Sequence, residues 1–464
     1  MTDRRANWAL AVLTFVNLFN YIDRWVVAAV VEPVKRDLGL SDTQMGLIGT
    51  SFIVVYMLVS PVFGFLGDRK VRPPLIALGV GIWSLATGVA GFARGFWSLF
   101  IARSLVGVGE GAYGTIAPAL LADQFPLERR GRVMAVFFSA IPIGSAAGYV
   151  LGGLADQYFG WRAAFWLVGF PGIVLALLVL TVKDPPRGQH DPGGAAASGM
   201  TPSGAAAASA AGAATDSSSG ASAAGAATDP SSGASAAGAA TDPSSGASAV
   251  GGRGRPPLHE GGKRGYAALF ANVPYILSVL GYAAYTFALG GLGFWMPAFL
   301  ERARGMTRAD ATVTFGSIVI VTGFLGTFIG GFLGDRLLAR TRQSYLWVSG
   351  IATLVAAPLT FVGLWSASKP VYLTAIVIAE VLIFMCTGPV NSAIVNAVSP
   401  VERATAVGLS VFVMHLFGDI PSPPLIGWIS DRDSIAHGVL VVPVAVFIAG
   451  VIWSYAAWRG ERAA

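Results

Sequence analysis

Gly64-Phe-Leu-Gly-Asp-Arg69 recurs, residue for residue, as Gly331-Phe-Leu-Gly-Asp-Arg336. Each copy closes an apolar run long enough to cross about 30 Å of hydrocarbon, so the chain contains two related parts. Weaker copies, Gly152-Gly-Leu-Ala-Asp156 and Gly427-Trp-Ile-Ser-Asp-Arg432, close two further runs. When runs cross in alternation, the strong copies end on one membrane face and the weak copies on the other. Each part is then itself two triplets of opposite orientation.

Counting outward from these copies gives apolar runs at about 8–31, 44–66, 73–93, 96–121, 132–155 and 161–182, then at about 273–300, 311–334, 344–365, 370–397, 403–429 and 437–458. Composition agrees: 54% of the 464 residues are hydrophobic and 12% charged, with a mean hydropathy of +0.64, which excludes a soluble enzyme with a polar skin. The expectation is an all-α membrane protein with twelve transmembrane helices in two six-helix halves, each half a 3+3 inverted repeat. Such nesting is the sequence sign of a transporter with its site near the bilayer midplane. Turn and cap signals fall between the runs: Ser41-Asp42, Pro73-Pro74, Pro126 with Arg129-Arg130-Gly131, and Thr307 to Asp310. Lys and Arg gather in the loops shared by both termini and the central gap, so that side is assigned to the cytoplasm. No small-residue cleavage site follows residues 8–31, which are read as a retained span. The single cysteine, Cys386, allows no internal disulfide.

Three regions follow: 1–182 as the N-terminal half, 183–265 as a cytoplasmic linker, and 266–464 as the C-terminal half. From Gly188 to Gly252 there is no aromatic residue, Lys or Arg, and a 13-residue Ala/Gly/Ser-rich unit starts at Ala208, Ala221 and Ala234. Side chains this small cannot stack into a core, so the linker is read as a disordered tether.

Charge inside the spans marks the candidate site. Asn17-Leu-Phe-Asn-Tyr-Ile-Asp-Arg24 places two amides, a carboxylate and a guanidinium within the first run. An ionised side chain at mid-membrane costs roughly 2.5–3.5 kcal/mol, so these groups must face protein or a watery cavity. On the fourth run Arg103 and Glu110 are seven residues apart, hence about 20° apart on one face, which Gly107 and Gly114 share. Burial disfavours a charged carboxylate, whereas a neighbouring guanidinium favours it. Protonation then depends on which way the cavity faces, as a proton-coupled carrier requires. Asp23 and Glu110 are the candidate proton-responsive pair. Arg24 is the cation that locks them or binds an anionic head group, its planar fork suiting phosphate or carboxylate. A structural ion-pair knot between the first and fourth helices is the competing reading.

The Gly64, Asp68 and Arg69 signature, the twelve runs and the central linker resemble the major facilitator superfamily. Within it the chain is similar to the Spinster lysolipid and sphingosine-1-phosphate transporters, as a bacterial-type homologue. The matching blocks are Asn20-Tyr-Ile-Asp-Arg24, Phe63 to Arg69, Leu105-Val-Gly-Val-Gly-Glu-Gly-Ala-Tyr-Gly-Thr-Ile-Ala-Pro118, Phe137 to Ser145, and His415-Leu-Phe-Gly-Asp-Ile-Pro-Ser-Pro423. The resemblance implies a proton-coupled or proton-responsive secondary transporter of lysolipids or sphingoid phosphates, working by alternating access. It implies the same roles for Asp23, Arg24 and Glu110. It also implies that Asp68, Arg69, Asp335 and Arg336 gate the cytoplasmic side through contacts between the halves in the outward-open state.

Further candidates for substrate binding or central ion pairing are Asn20, Arg103, Tyr113, His415 and Asp419, the last two one helical turn apart before Pro421 and Pro423-Pro424. Glu380 is polar enough to line a cavity but reads more readily as a structural contact. Tyr282, Tyr285, Phe294 and Trp295 give the second half an apolar wall. A charged wall and an apolar wall suit an amphiphilic anion of lysolipid type, carried with protons. A small organic-anion:proton symporter is the alternative, and a non-transporting receptor or scaffold would need no ionisable stripe. No phosphate loop, nucleophile elbow or His/Cys metal cluster occurs, so no enzyme activity, cofactor, metal or nucleic-acid partner is expected. The expected setting is a monomer in the bacterial inner membrane, with both termini cytoplasmic.

Overall fold

The computed structural model describes residues 2–187, 269–398 and 403–463; the 13-residue repeats and the expected tether lie outside the described residues. Among the described residues, twelve helices are long and apolar enough to cross a membrane. The first six are Arg4–Ala29, Asp42–Arg69, Arg72–Ala90, Phe96–Gln124, Val136–Phe159 and Trp161–Val179. The second six are Val273–Arg304, Arg308–Leu337, Ser344–Trp365, Lys369–Ile394, Ala406–Arg432 and Ile435–Arg462. The expected all-α, twelve-span fold is therefore the one observed. Large apolar side chains such as Leu58, Trp97, Leu177 and Phe332 are more than half exposed, as suits a lipid-facing belt.

Helix starts follow the local chemistry. Ser41 and Gln44 form a reciprocal capping box on the second span, with Gln44 N–H donating to Ser41 Oγ (3.2 Å) and Ser41 N–H to Gln44 Oε1 (3.0 Å). The Thr307 hydroxyl accepts the Asp310 N–H at the start of the eighth span. At the fifth span the cap is Pro126, and the helix runs from Leu127 to Phe159. Arg129, Arg130 and Gly131 thus lie in its first turns rather than in a preceding loop. A short helix not foreseen from the sequence, Val31–Leu38, links the first two spans. It ends at Gly39, whose φ of 63° is the left-handed stop that glycine adopts without strain.

The two halves repeat one pairing scheme. In the first half, span one packs on five and six, two on four, and three on four and six; in the second, seven packs on eleven and twelve, eight on ten, and nine on ten and twelve. The identical hexapeptides are thus the visible remnant of a repeated architecture. The halves meet mainly along two seams, span five against eight and span two against eleven. The second seam is a backbone-to-backbone approach: a Cβ on Gly46 would lie 2.4 Å from the Pro423 carbonyl oxygen, and one on Gly427 2.3 Å from the Asp42 carbonyl oxygen. On the first seam, a Cβ on Gly153 would overlap the Thr312 hydroxyl at 2.0 Å.

Within the first half, a Cβ on Gly107 would fall 2.2 Å from the Phe52 carbonyl oxygen, where spans two and four cross. Gly107→Val therefore overpacks a half and should destabilise it by about 1–3 kcal/mol, read as a lower melting temperature in detergent. Gly427→Val should leave the melting temperature of each half nearly unchanged and instead wedge the halves apart. An equal loss of stability in both variants would contradict this separation of roles.

Candidate functional site at the seam of the two halves

Where the halves face each other, the structure encloses a cavity of about 80 Å³. Its first-half wall includes Tyr21, Arg24, Trp25, Phe52, Ile53 and Tyr56, and its second-half wall Leu289, Gly290, Phe294, His415, Asp419 and Pro423. Of the expected site residues, Arg24, His415 and Asp419 reach this cavity.

Arg24 donates from Nε to Glu110 Oε2 at 2.6 Å, with its side chain 10% exposed and that of Glu110 wholly buried. Three rings surround the guanidinium, Tyr21 at 4.9 Å, Tyr56 at 5.4 Å and Phe52 at 5.6 Å from its carbon to the ring centroid. Such rings stabilise a cation that has lost part of its water shell. Behind it, Arg103 Nη1 donates to Asp23 Oδ1 at 3.0 Å, and the Thr87 hydroxyl donates to Asp23 Oδ2 at 2.5 Å. Spans one and four are thus tied by two crossed ion pairs. The two candidate proton-responsive acids are held apart in separate ion pairs, Glu110 with Arg24 and Asp23 with Arg103. Only Arg24 fronts the cavity, with Glu110 directly behind it.

Asn20 is buried in the same layer, and its amide nitrogen has no hydrogen-bond partner. Asn17 lies elsewhere, donating to the Phe137 carbonyl of span five. Tyr113 is buried inside the first half, where its hydroxyl donates to the Leu13 carbonyl at 2.6 Å, so it does not border the cavity.

Across the cavity, span eleven departs from α-geometry: His415–Asp419 form one π-turn between helices Arg403–Met414 and Ser422–Arg432. The wider turn brings His415 Nδ1 within 3.0 and 3.1 Å of the two Asp419 carboxylate oxygens. Gly418 permits it, since a Cβ there would overlap the Thr286 hydroxyl, which lies 3.2 Å from the Met414 carbonyl oxygen. The other imidazole nitrogen, Nε2, is buried without a hydrogen-bond partner. π-Turns inside helices often mark functional sites. The Pro421 to Pro424 cluster makes the expected break, and the helix restarts at Ser422.

One end of the molecule is closed by charge. Arg302, at the end of span seven, donates to both Asp42 oxygens (2.6 and 2.8 Å) and also pairs with Glu32. Lys35 joins Asp42 at 2.6 Å, and the Ser430 hydroxyl donates to it at 2.5 Å. Asp431 accepts the backbone N–H groups of Asp42 (2.7 Å) and Thr43 (2.8 Å) at the start of span two. On the other seam Arg308 pairs with Asp156 and, at 3.2 Å, with Glu301. Reasoning from sequence missed this closure. The signal was present, because Asp156 and Asp431 are the acids of the two weak motif copies.

At the opposite end Arg69 stacks on Phe65 at 3.6 Å, and Asp335 accepts the Tyr345 hydroxyl at 2.9 Å, both within one half. Among the described residues no ion pair joins Asp68, Arg69, Asp335 or Arg336 to the other half.

The Major Facilitator Superfamily profile matches residues 13–418. Protein spinster homolog 1 of Homo sapiens is 33% identical over 451 residues, spanning 93% of this chain and 74% of that protein. Protein spinster homolog 3 of Danio rerio is 32% identical over 452 residues, spanning 94% and 78%. The crystal structure of a bacterial homolog to the human lysosomal transporter Spinster, in an inward-facing and unoccupied conformation, shares the fold with a TM-score of 0.77, at 22% identity over 98% of this chain and 97% of that one. These relatives are transporters, not enzymes. With a family profile across most of its length and relatives at 32–33% identity that span more than nine-tenths of it, the chain belongs to the Spinster family of the major facilitator superfamily.

Proposed function

We propose that this transporter carries a lysolipid or sphingoid phosphate by alternating access, coupled or responsive to protons at Glu110. The observation that carries this reading is Arg24, a guanidinium at the cavity wall held from behind by Glu110 at 2.6 Å. An anionic head group entering the cavity competes with Glu110 for the same cation. Protonating Glu110 ends its claim on Arg24, and an incoming anion returns that charge balance. His415 Nε2 faces the head group from the second half, while Phe52, Ile53, Leu289 and Phe294 offer an apolar path for a chain. Asp23 and Arg103 hold the frame in which this exchange occurs.

The charged closure at Asp42, Arg302 and Arg308 is read as the outer gate, with both termini and the tether of residues 183–265 on the cytoplasmic side. Asp68, Arg69, Asp335 and Arg336 then form the inner gate, engaged when the halves rock the other way. On this reading the state described is the inward-facing one. A small organic-anion:proton symporter is the second reading, favoured by a cavity of about 80 Å³, which holds a head group more readily than a whole lipid.

Four outcomes test these roles. In proteoliposomes Glu110→Gln should remove the pH dependence of lysolipid uptake while the protein remains folded; proton-driven uptake at the native level would defeat the scheme. A charge-assisted hydrogen bond contributes about 1.5–3 kcal/mol, so Arg24→Ala should raise the half-saturating substrate concentration roughly ten- to hundredfold. A small carboxylate transported in preference to a lysolipid in the same assay selects the second reading. Finally, Arg302→Ala should shift the population towards the outward-facing state by a factor of about 5–30, equivalent to roughly 1–2 kcal/mol. The readout is labelling of Ile53→Cys by an impermeant thiol reagent added on the Asp42 side, and unchanged protection would argue against an outer gate there.

A further inference from the structure

Glu380 of span ten is buried in the second half, 6% exposed, at a second cavity of about 30 Å³ between the halves. The cavity is lined by Trp25, Ser145 and Tyr149 from the first half and by Gly293 and Phe315, among others, from the second. Tyr149 donates to the Gly293 carbonyl at 2.7 Å, bridging the halves beside it. Trp25 borders both this cavity and the Arg24 cavity.

The surroundings of Glu380 are those of a neutral acid. Its hydrogen-bond contact is Thr322 Oγ1, 3.0 Å from Oε2. The same hydroxyl also lies 2.7 Å from the Ile318 carbonyl, so Thr322 has one proton for two acceptors and an ionised Glu380 holds at most a shared hydrogen bond there. Among the described residues no Lys, Arg or His lies within ion-pairing distance. The titratable groups around it are the phenols of Tyr149 on span five and Tyr285 on span seven, with the Cys386 thiol on its own span; spans one and eight present Trp25, Phe315, Val319 and Thr322, none of which titrates near neutrality. A buried carboxylate without a cation is strongly disfavoured, so this one keeps its proton for as long as the cavity stays dry.

We propose that Glu380 is a second proton-carrying site, in the opposite half from Glu110. It holds a proton in the inward-facing state and releases it when the seam of spans five and eight rearranges and water reaches the carboxyl. The exchange is a single O–H bond broken, with the proton passing to water and the carboxylate left hydrated. At about 30 Å³ the cavity excludes an organic ion, which leaves the proton as the species exchanged. The proposal rests on the proton-coupled reading above and adds a second site to it.

Infrared difference spectroscopy on the full chain in lipid tests the protonation directly. A protonated-carboxyl C=O band present at neutral pH in the native protein and absent in Glu380→Gln supports the proposal; a spectrum unchanged by the substitution overturns it. Gln is isosteric with the neutral acid, so Glu380→Gln should also melt within a few degrees of the native protein. Proton and lysolipid fluxes measured together test the coupling. The ratio of protons to substrate should fall by about half in Glu380→Gln and recover in Glu380→Asp. An unchanged ratio in Glu380→Gln, with the ratio lost in Glu110→Gln, refutes the second site and leaves the first intact. No proton movement in the native protein refutes the underlying reading instead.

Discussion

The guanidinium of Arg24, bound at 2.6 Å to a wholly buried Glu110, is the contact on which the rest of the molecule depends. A cation and an anion cannot stand alone in the middle of a bilayer. Span four must therefore lie against span one, and the close passage of span two that Gly107 permits brings Phe52 under both arginines. Once spans one and four are paired, the cavity mouth is defined, because Arg24 is the member of the four-residue cluster that the packing leaves facing the second half. Removing one partner of such a pair costs about 3–5 kcal/mol, whereas neutralising the acid with a proton leaves both side chains in place. Under the proposed proton coupling, that difference lets a proton act as a switch rather than a denaturant.

The same economy of parts governs the two ends. The strong motif copies, ending at Arg69 and Arg336, lie at the end opposite the charged closure and make no ion pairs between halves among the described residues. The weak copies supply the closed end, where Asp431 caps span two and Asp156 meets Arg308. From those same weak copies, Gly427 lets the backbones approach and Gly153 makes room for the Thr312 side chain. Inverted repeats thus place one acid-bearing motif at each end of each half, and a rocking motion can trade one set of contacts for the other. Ion pairs that are partly exposed suit this use, since each contributes little alone and the group can be broken within a transport cycle.

The fold was legible because its signals are local and repeated: twelve apolar runs, caps at Ser41 and Thr307, and a duplicated hexapeptide. The site was legible in part, since charge inside apolar runs at Asp23, Arg24, Arg103 and Glu110 points to a buried cluster whatever its geometry. Which acid meets which arginine depends on the rotation and depth of two helices, and a spacing of seven residues does not encode that. Arg302 and Asp42 were hidden for a different reason. Charged residues at span ends look like ordinary interfacial anchors until the halves are docked, and their partners lie 260 residues away in the chain. The π-turn at His415 was equally out of reach, since it arises from packing between Gly418 and Thr286.

Several unsatisfied polar atoms lie around this centre. Arg103 Nε and Nη2, Glu110 Oε1, Asn20 Nδ2 and His415 Nε2 are all buried without a hydrogen-bond partner. A core built only for stability leaves few such atoms, since each costs about 1–3 kcal/mol. Here they belong to groups able to trade partners: Arg103 has donors to spare, Glu110 has a spare acceptor, and both stand one residue layer from Arg24. The arrangement described therefore holds unused bonding capacity that a second pairing of the same four residues can take up, as can the head group or proton proposed above. A conformational cycle needs states of nearly equal free energy, and a cluster left incomplete in this state keeps it from becoming too stable to leave.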